Sequence, residues 1–200
     1  LSSSSAASDV YKRQVFLLIS LLSVSAQELV QFKLTSSGCF IAPNEEGFVV
    51  VPFEGKSQQE LYDMVKNNVM SIYKNPQKVM SENQGQTITI RAYGGLVYKT
   101  VTFIPREFGG HYNLVFKFKD GRVRIDNPSV DDNLTDTSGY LPLISFSNYC
   151  NGLFTKKGTP KNEKCAKKID TIERQINSTI NEILGLTPTS VSTSSNDDNW

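Results

Sequence analysis

Hydrophobic and polar positions change period along this chain, and each change marks an element. The first feature is Val15 to Ala26, VFLLISLLSVSA, an apolar run broken only by serines. Gln27 to Phe53 then reads as extended. Within it Gly47 to Phe53, GFVVVPF, is rich in the β-branched and aromatic residues that suit strands. The period next becomes helical. Ser57 with Glu60 three residues on makes a capping box, and Leu61, Met64, Val65, Val69 and Ile72 form one apolar stripe. Asn75-Pro76 ends that helix. A two-residue period follows. Lys78 to Glu82 is a short strand. Thr87 to Tyr93 alternates, with Ile88, Ile90 and Ala92 inward and Thr87, Thr89 and Arg91 outward. Gly94-Gly95 reads as a turn and Leu96 to Ile104 as a further strand ended by Pro105. His111 to Lys119 places Leu114, Phe116 and Phe118 on one face. Asp120-Gly121 is a hairpin turn, Arg122 to Asp126 returns with Val123 and Ile125 inward, and Asn127-Pro128 closes the sheet.

Val130 to Asn162 has no period and reads as a long irregular excursion. Its hydrophobic piece, Tyr140 to Phe146, must be packed somewhere. A second helix runs from about Asn162 to Leu184 on a stripe of Ile169, Ile172, Ile176, Ile180 and Ile183, and Gly185 stops it. Thr187 to Trp200 is polar and of low complexity, which predicts a disordered tail over residues 187–200. Both helices are apolar on one side only. The economical arrangement is an α+β fold in which a curved antiparallel sheet carries two helices on one face and leaves the other to solvent. Residues 27–186 are then a single α+β domain, with a core over 48–127 and the carboxy-terminal helix over 162–184.

The apolar run at 15–26 spans 12 residues, short of the ~20 needed to cross a bilayer. Lys12 and Arg13 precede it, and Val24 and Ala26 suit the small-residue requirement of a cleavage site. The expectation is a signal peptide cut between Ala26 and Gln27, a periplasmic or secreted product, and no transmembrane helix in the mature form. The alternative is a buried core helix or an uncleaved anchor. No cysteine stands at the cut to accept a lipid. Residues 1–14, LSSSSAASDVYKRQ, resemble a translated sequencing-adaptor peptide. On that reading they are non-native and the true start lies upstream; the alternative is a native Ser-rich leader.

Three segments carry a family resemblance: FVVVPFEGKSQQELYDMVKNNV, ITIRAYG and VFKFKDGRVRIDN. With their element order they resemble a secreted domain-of-unknown-function family of Bacteroidetes whose fold is TATA-binding-protein-like. The likeness covers about Phe48 to Asn127 and extends more weakly to the last helix, and its hairpin motif is Lys119-Asp120-Gly121-Arg122 followed by Arg124. It implies a TBP-like order of strand, helix, four or five strands, helix. It implies no activity and no catalytic residues, and the fold name does not imply DNA binding. The segment from Pro128 to Asn162 and the cysteines fall outside it.

Composition narrows the chemistry. The 200 residues hold 21 basic and 20 acidic side chains and a single histidine, His111. A balanced charge exerts no global pull on nucleic acid or membrane. One histidine argues against histidine-based catalysis and multi-histidine metal sites. His111 follows Gly109-Gly110 and reads as a surface-turn residue. No G-x-S-x-G, P-loop or G-x-G-x-x-G occurs. Asp131, Asp132, Asn133 and Asp136 form an oxygen-rich loop, but the spacing is not that of an EF-hand, and a solvated acidic loop is the plainer reading. Glu45-Glu46 are adjacent and do not argue for a glycosidase cleft. The expectation is therefore no catalytic residue, no metal and no cofactor. Cys150 and Cys165 are spaced to bridge a short loop, a crosslink of ~3 kcal/mol in chain-entropy terms; the alternative is free or buried thiols, and Cys39 is left over. Asn133-Leu134-Thr135 and Asn177-Ser178-Thr179 match the glycosylation triplet and carry little meaning in a bacterial protein.

The outward sheet face is the richest candidate. Alternation gives it Thr87, Thr89, Arg91, Asn113, Lys117, Lys119, Arg122 and Arg124. Of these Arg91, Lys117, Lys119, Arg122 and Arg124 are candidate ligand-binding residues. They would engage an envelope protein, a glycan or an anionic ligand through charge-assisted hydrogen bonds. The plainer reading is a solvated face whose lysines discourage aggregation. Nucleic acid is not expected, because stacking aromatics are few: Tyr93 and Tyr98. The sequence thus points to an exported, non-catalytic binding or scaffold module of the bacterial envelope, with a carrier of a small apolar ligand, or less readily an unrecognised hydrolase, as alternatives.

Overall fold

The computed structural model describes residues 28–101, 104–138 and 143–186. The leader over 1–14, the signal peptide over 15–26, its cleavage site and the tail over 187–200 lie outside the described residues, as does part of the Tyr140–Phe146 piece.

The centre of the fold is one very long antiparallel hairpin. Strand β5 (Thr87–Val101) and strand β6 (Ile104–Lys119) pair from Thr87↔Lys117 to Val101↔Ile104. The expected turn at Gly94-Gly95 does not exist. The strand runs straight through, with a register shift between Gly95 and Val97. His111 is accordingly a mid-strand residue of β6, opposite Tyr93, not a turn residue. The glycines misled because they come as a cross-strand set, Gly94 opposite Gly110 and Gly95 opposite Gly109. Their use is close approach. A β-carbon on Gly109 would lie 2.5 Å from the Tyr93 hydroxyl, and one on Gly110 would lie 2.5 Å from Leu134 Cδ2.

Two groups of strands flank the hairpin. At the end near Lys119, strand β7 (Arg122–Asp126) pairs with β6 and then with β3 (Phe48–Pro52), while β4 (Met80–Asn83) pairs with the other side of β5. The Asp120-Gly121 turn is as expected, with Gly121 at φ 71°. At the other end, β6 exchanges β7 for β8 (Ser129–Val130) and β9 (Asn133–Asp136), and β9 pairs with β10 (Ile144–Ser145). Asn127-Pro128 therefore does not close the sheet, and the stretch after Val130 is not irregular. It holds short strands and the helix α3 (Phe146–Leu153). Strands of two to four residues in Asp- and Asn-rich sequence show too few alternations to read; the exposed edge of β6 selects their register.

Helix α1 (Gln58–Ile72) starts at the anticipated capping box. The Ser57 N–H donates to Glu60 Oε2 at 2.7 Å, and Ser57 Oγ accepts from the Glu60 N–H. A one-turn helix α2 (Pro76–Val79) precedes β4. Helix α4 (Glu163–Leu184) ends at Gly185, which takes a left-handed φ of 70°. Helices α1 and α4 lie together on the inner face of the curled sheet. Leu61, Val65, Ile88, Ile90, Ile172 and Ile176 meet there, each at most 2% exposed.

The amino-terminal segment is held differently. Residues 30–34 are extended, with β1 (Lys33–Leu34) paired to β2 (Phe40–Ile41). Three side chains of α4 serve as its strand partner. Asn181 accepts from the Val30 N–H at 2.8 Å and donates to the Val30 carbonyl at 2.9 Å. Asn177 does the same for Phe32, at 2.8 and 3.0 Å. Glu173 accepts from the Leu34 N–H at 2.9 Å and from Lys33 Nζ at 3.0 Å. Four helical residues rise about 6 Å and two extended residues about 6.7 Å, so the two spacings run nearly in step. Asn177, in a glycosylation triplet, has its amide committed to this clamp.

Candidate functional site on the outer sheet face

The five predicted basic residues share the outer face, as alternation required, but they divide into two settings. Lys117 lies opposite Arg124 and Lys119 opposite Arg122. Arg91 lies opposite Asn113, four residues along β6 from Lys117, or about 13 Å. Carboxylates also enter this face: Asp126 and Asp131 pair with its cations, and the side chain of Glu107 lies over Gly95. Asp126 accepts from Lys117 Nζ at 2.6 Å and from Arg124 Nε at 2.7 Å. Burial raises the Asp126 carboxyl, but the bonds from Lys117 and Arg124 outweigh it and hold the group below the usual carboxylate range. Arg124 also stacks over Phe48, 3.8 Å from the ring centroid. Alternation along Arg122–Asp126 puts Asp126 outward with Arg122 and Arg124, and that signal was present in the sequence.

The far end of the face is a different surface. Arg91 grips Asp131 with two nitrogens, at 2.5 and 3.2 Å, and also donates to Asn113 Oδ1 at 3.3 Å. Asn113 Nδ2 donates to Ser129 Oγ at 3.2 Å. His111 Nδ1 lies 3.9 Å from Asp131 Oδ2. Tyr93 meets the His111 ring edge to face at 5.4 Å, and its hydroxyl bonds Thr135 Oγ1 at 2.8 Å. Seven side chains from β5, β6, β8, β9 and the loop between the last two are thus joined in one chain. The backbone builds it: the Asp131 N–H donates to the His111 carbonyl at 2.8 Å, which brings the carboxylate beside Arg91. Tyr93 is seated on Gly109, where a side chain would collide with it. Yet Tyr93 remains 49% exposed, and the side chains of Arg91 and His111 are exposed to a similar degree.

The oxygen-rich loop does not converge on a point. Asp131 faces Arg91. Asp132 accepts from the Ser147 N–H at 2.7 Å at the start of α3, and that bond first, with Ser147 and Ser145 side chains adding, lowers its pKa. Asp136 accepts from Ser138 Oγ at 2.5 Å. Of the two readings open for Cys150 and Cys165, a bridge or free thiols, the structure has free thiols, and Cys39 is free as well. Cys150 is fully buried on the inner side of α3, while Cys165 is half-buried in the first turn of α4 and Cys39 is exposed. Burial, with the charges of Asp132 and Cys39 adding, pushes the Cys150 thiol up to about 12. His111 has a carboxylate neighbour, but among the described residues no hydroxyl or thiol is bonded to its imidazole.

Two solved structures share this architecture. One is a TBP-like protein from Parabacteroides distasonis ATCC 8503, with a TM-score of 0.52 and 10% identity over 76% of this chain and 92% of that one. The fold is TBP-like. The other is a DUF4468 family protein from Bacteroides ovatus ATCC 8483, with a TM-score of 0.54 and 12% identity over 82% of this chain and 91% of that one. At these identities the likeness is one of fold. No family model matches the chain, and no curated protein does. The curled sheet with helices on one face is what the strand and helix patterns called for, and the TBP-like fold is what the family resemblance implied. Among the described residues no helix is long and apolar enough to cross a membrane.

Proposed function

We propose that the protein is an exported, non-catalytic binding module of the bacterial envelope that engages its partner through the outer face of the sheet. The carrying observation is the linked chain from Ser129 through Asn113, Arg91, Asp131, His111 and Tyr93 to Thr135. Exposed ion pairs contribute only ~0–1 kcal/mol to stability, so folding alone is a weak reason to order so many half-exposed polar groups. Rigid strands hold them in place before any partner arrives, which lowers the ordering cost of association. The apolar side chains of α1, α4 and the sheet, Leu61, Val65, Ile88, Ile90, Ile172 and Ile176 among them, bury one another, and this favours a surface module over a carrier of small apolar molecules. Export rests on the 15–26 run and its Val24–Ala26 cleavage signal. The TBP-like fold is not a reason to expect DNA, since three of the five cations that would meet phosphates are already paired with Asp126 or Asp131.

Capture from a native envelope fraction tests this reading. The wild-type protein is expected to retain a partner that the Arg91→Ala/Asp131→Ala double variant loses while melting near the wild-type temperature. Equal capture by both sinks the outer-face assignment. Intact-mass analysis of the exported protein is expected to show an amino terminus at Gln27; a mass that retains residues 15–26 removes the export argument.

A further inference from the structure

The outer face has two ends of different electrostatic character, and they fit different ligands. Near the Asp120-Gly121 turn, Lys117, Lys119, Arg122 and Arg124 stand together, and among the described residues Lys117 and Arg124 pair with Asp126. At the far end the guanidinium of Arg91 is matched by the Asp131 carboxylate in a two-nitrogen contact, and the remaining members of the linked chain are an imidazole, an amide and three hydroxyls. Within the linked chain the large apolar surface is the ring of Tyr93, half exposed and pinned from two sides. Thr135 holds its hydroxyl and the bare backbone of Gly109 supports it from below.

We infer that the far end is a site for a neutral polyhydroxylated ligand, a glycan chain, with Tyr93 as its platform and the Arg91–Asp131–Asn113 group as its hydroxyl-binding edge. This rests on the outer-face reading above and narrows it to a ligand class. A pyranose ring presents a row of C–H bonds on one face and hydroxyls around its rim. The C–H face suits the electron-rich face of an aromatic ring. Each rim hydroxyl is at once donor and acceptor, and matches a carboxylate oxygen on one side and a guanidinium or amide N–H on the other. Charge-assisted bonds to Asp131 and Arg91 are about twice as strong as neutral ones, while the Arg91 charge, matched by Asp131 and with the Glu107 carboxylate nearby, gives no net attraction for an anion. An anionic chain would instead be drawn to the four cations at the other end. Pinning Tyr93 and Arg91 in advance removes the side-chain ordering that each would otherwise cost.

Native-gel affinity electrophoresis decides the matter, with the protein purified from the host that exports it. The probes are four neutral polysaccharides (a β-glucan, a mannan, a xylan and an arabinogalactan) and one anionic chain, heparin. Retardation by at least one neutral polysaccharide is expected, and it is expected to persist at high salt. Tyr93→Ala and Asp131→Asn are each expected to weaken it roughly tenfold or more, equivalent to about 1.4 kcal/mol. Tyr93→Phe keeps the ring and is expected to bind nearly as wild type, which separates loss of the platform from loss of folding. Lys119→Gln/Arg122→Gln is expected to leave binding unchanged. Retardation by none of the neutral probes, or undiminished retardation of Tyr93→Ala, overturns the inference. Retardation by heparin alone, released by salt and by Lys119→Gln/Arg122→Gln, also overturns it while leaving the outer-face reading intact. A protein captured through Arg91 and Asp131 without any glycan retardation has the same consequence.

Discussion

Single residues in this protein are governed by what the opposite strand or the nearest helix supplies. Cys39 and Cys150 illustrate the extremes. One thiol faces water, and the other is buried beneath α3 and pushed up to about 12, chiefly by desolvation. Thiolate is the reactive form, so an aromatic disulfide reagent at neutral pH is expected to label Cys39 rapidly in the native state. Cys150 is expected to be labelled only at the rate of unfolding. Fast labelling of Cys150 in the folded protein would contradict its placement. Asn181 is the second case. It pairs both backbone groups of Val30 in a buried setting, so Asn181→Ala leaves an N–H and a carbonyl without partners. The expected loss is about 2–3 kcal/mol, measured by urea denaturation, with faster amide exchange at Val30 and Phe32. Nothing in the local sequence of Glu28 to Leu34 announces this clamp. Asn177 and Asn181 are polar positions four apart on a helix, and ordinary periodicity reads them as solvent-facing.

At the scale of elements, the long hairpin is the feature that places the candidate site. A turn at Gly94-Gly95 would have left Tyr93 at a strand end and His111 at another. Continuous pairing sets them opposite each other and lets the edge of β6 recruit β8 and β9, which deliver Asp131 and Thr135. The glycines make this possible because the hairpin needs bare backbone where Tyr93 and Leu134 cross it. Gly109→Ala would place its β-carbon 2.8 Å from the Gly94 carbonyl oxygen as well as against Tyr93. Backbone does not yield as a side-chain tip does, so a cost of about 1–3 kcal/mol is expected, together with a shift of Tyr93 visible in its fluorescence. A Gly109→Ala variant as stable as wild type would mean that the two strands are less closely apposed. Helices α1 and α4, by contrast, declared themselves through Ser57, Glu60 and Gly185, whose roles depend only on nearby backbone.

At the scale of the whole molecule, the titrating groups define a pH window. Hydrogen bonds depress the pKa values of Glu60, Glu82 and Asp132, and bonds from Lys117 and Arg124 depress that of Asp126 against the cost of burial. A carboxylate with a depressed folded pKa adds stability above its unfolded value near 4, and that stability is lost as pH falls through the folded pKa. Glu60, Glu82 and Asp132 are exposed, so their effects are small, and Asp126 is half-buried. On the alkaline side, burial raises the pKa values of Cys150, Tyr62, Tyr73 and Tyr112. Their contribution is complete below the unfolded pKa values, ~8.5 for Cys and ~10 for Tyr, and is lost as pH rises through the folded ones. Thermal unfolding is therefore expected to show a plateau between about pH 5 and pH 8, a gentle fall below pH 4 and a steeper one above pH 9. A midpoint that climbs steadily into alkali would contradict the burial of these groups.

The sequence by itself determined the inner face of the sheet, both long helices with their caps, the Asp120-Gly121 turn and the placing of two helices on one face of a curved antiparallel sheet. Each depends on a repeat of two or 3.6 residues, or on a cap a few residues away, and such signals survive without knowledge of distant partners. Only the tertiary structure decided which outward residues meet, because solvent-facing positions carry no hydrophobic period to order them. Arg91 and Asp131 lie 40 residues apart in the chain, and Tyr93 and Thr135 lie 42 apart. Their meeting follows from the register of β5, β6 and β9, which bare glycine backbone and the buried Leu134 hold in place.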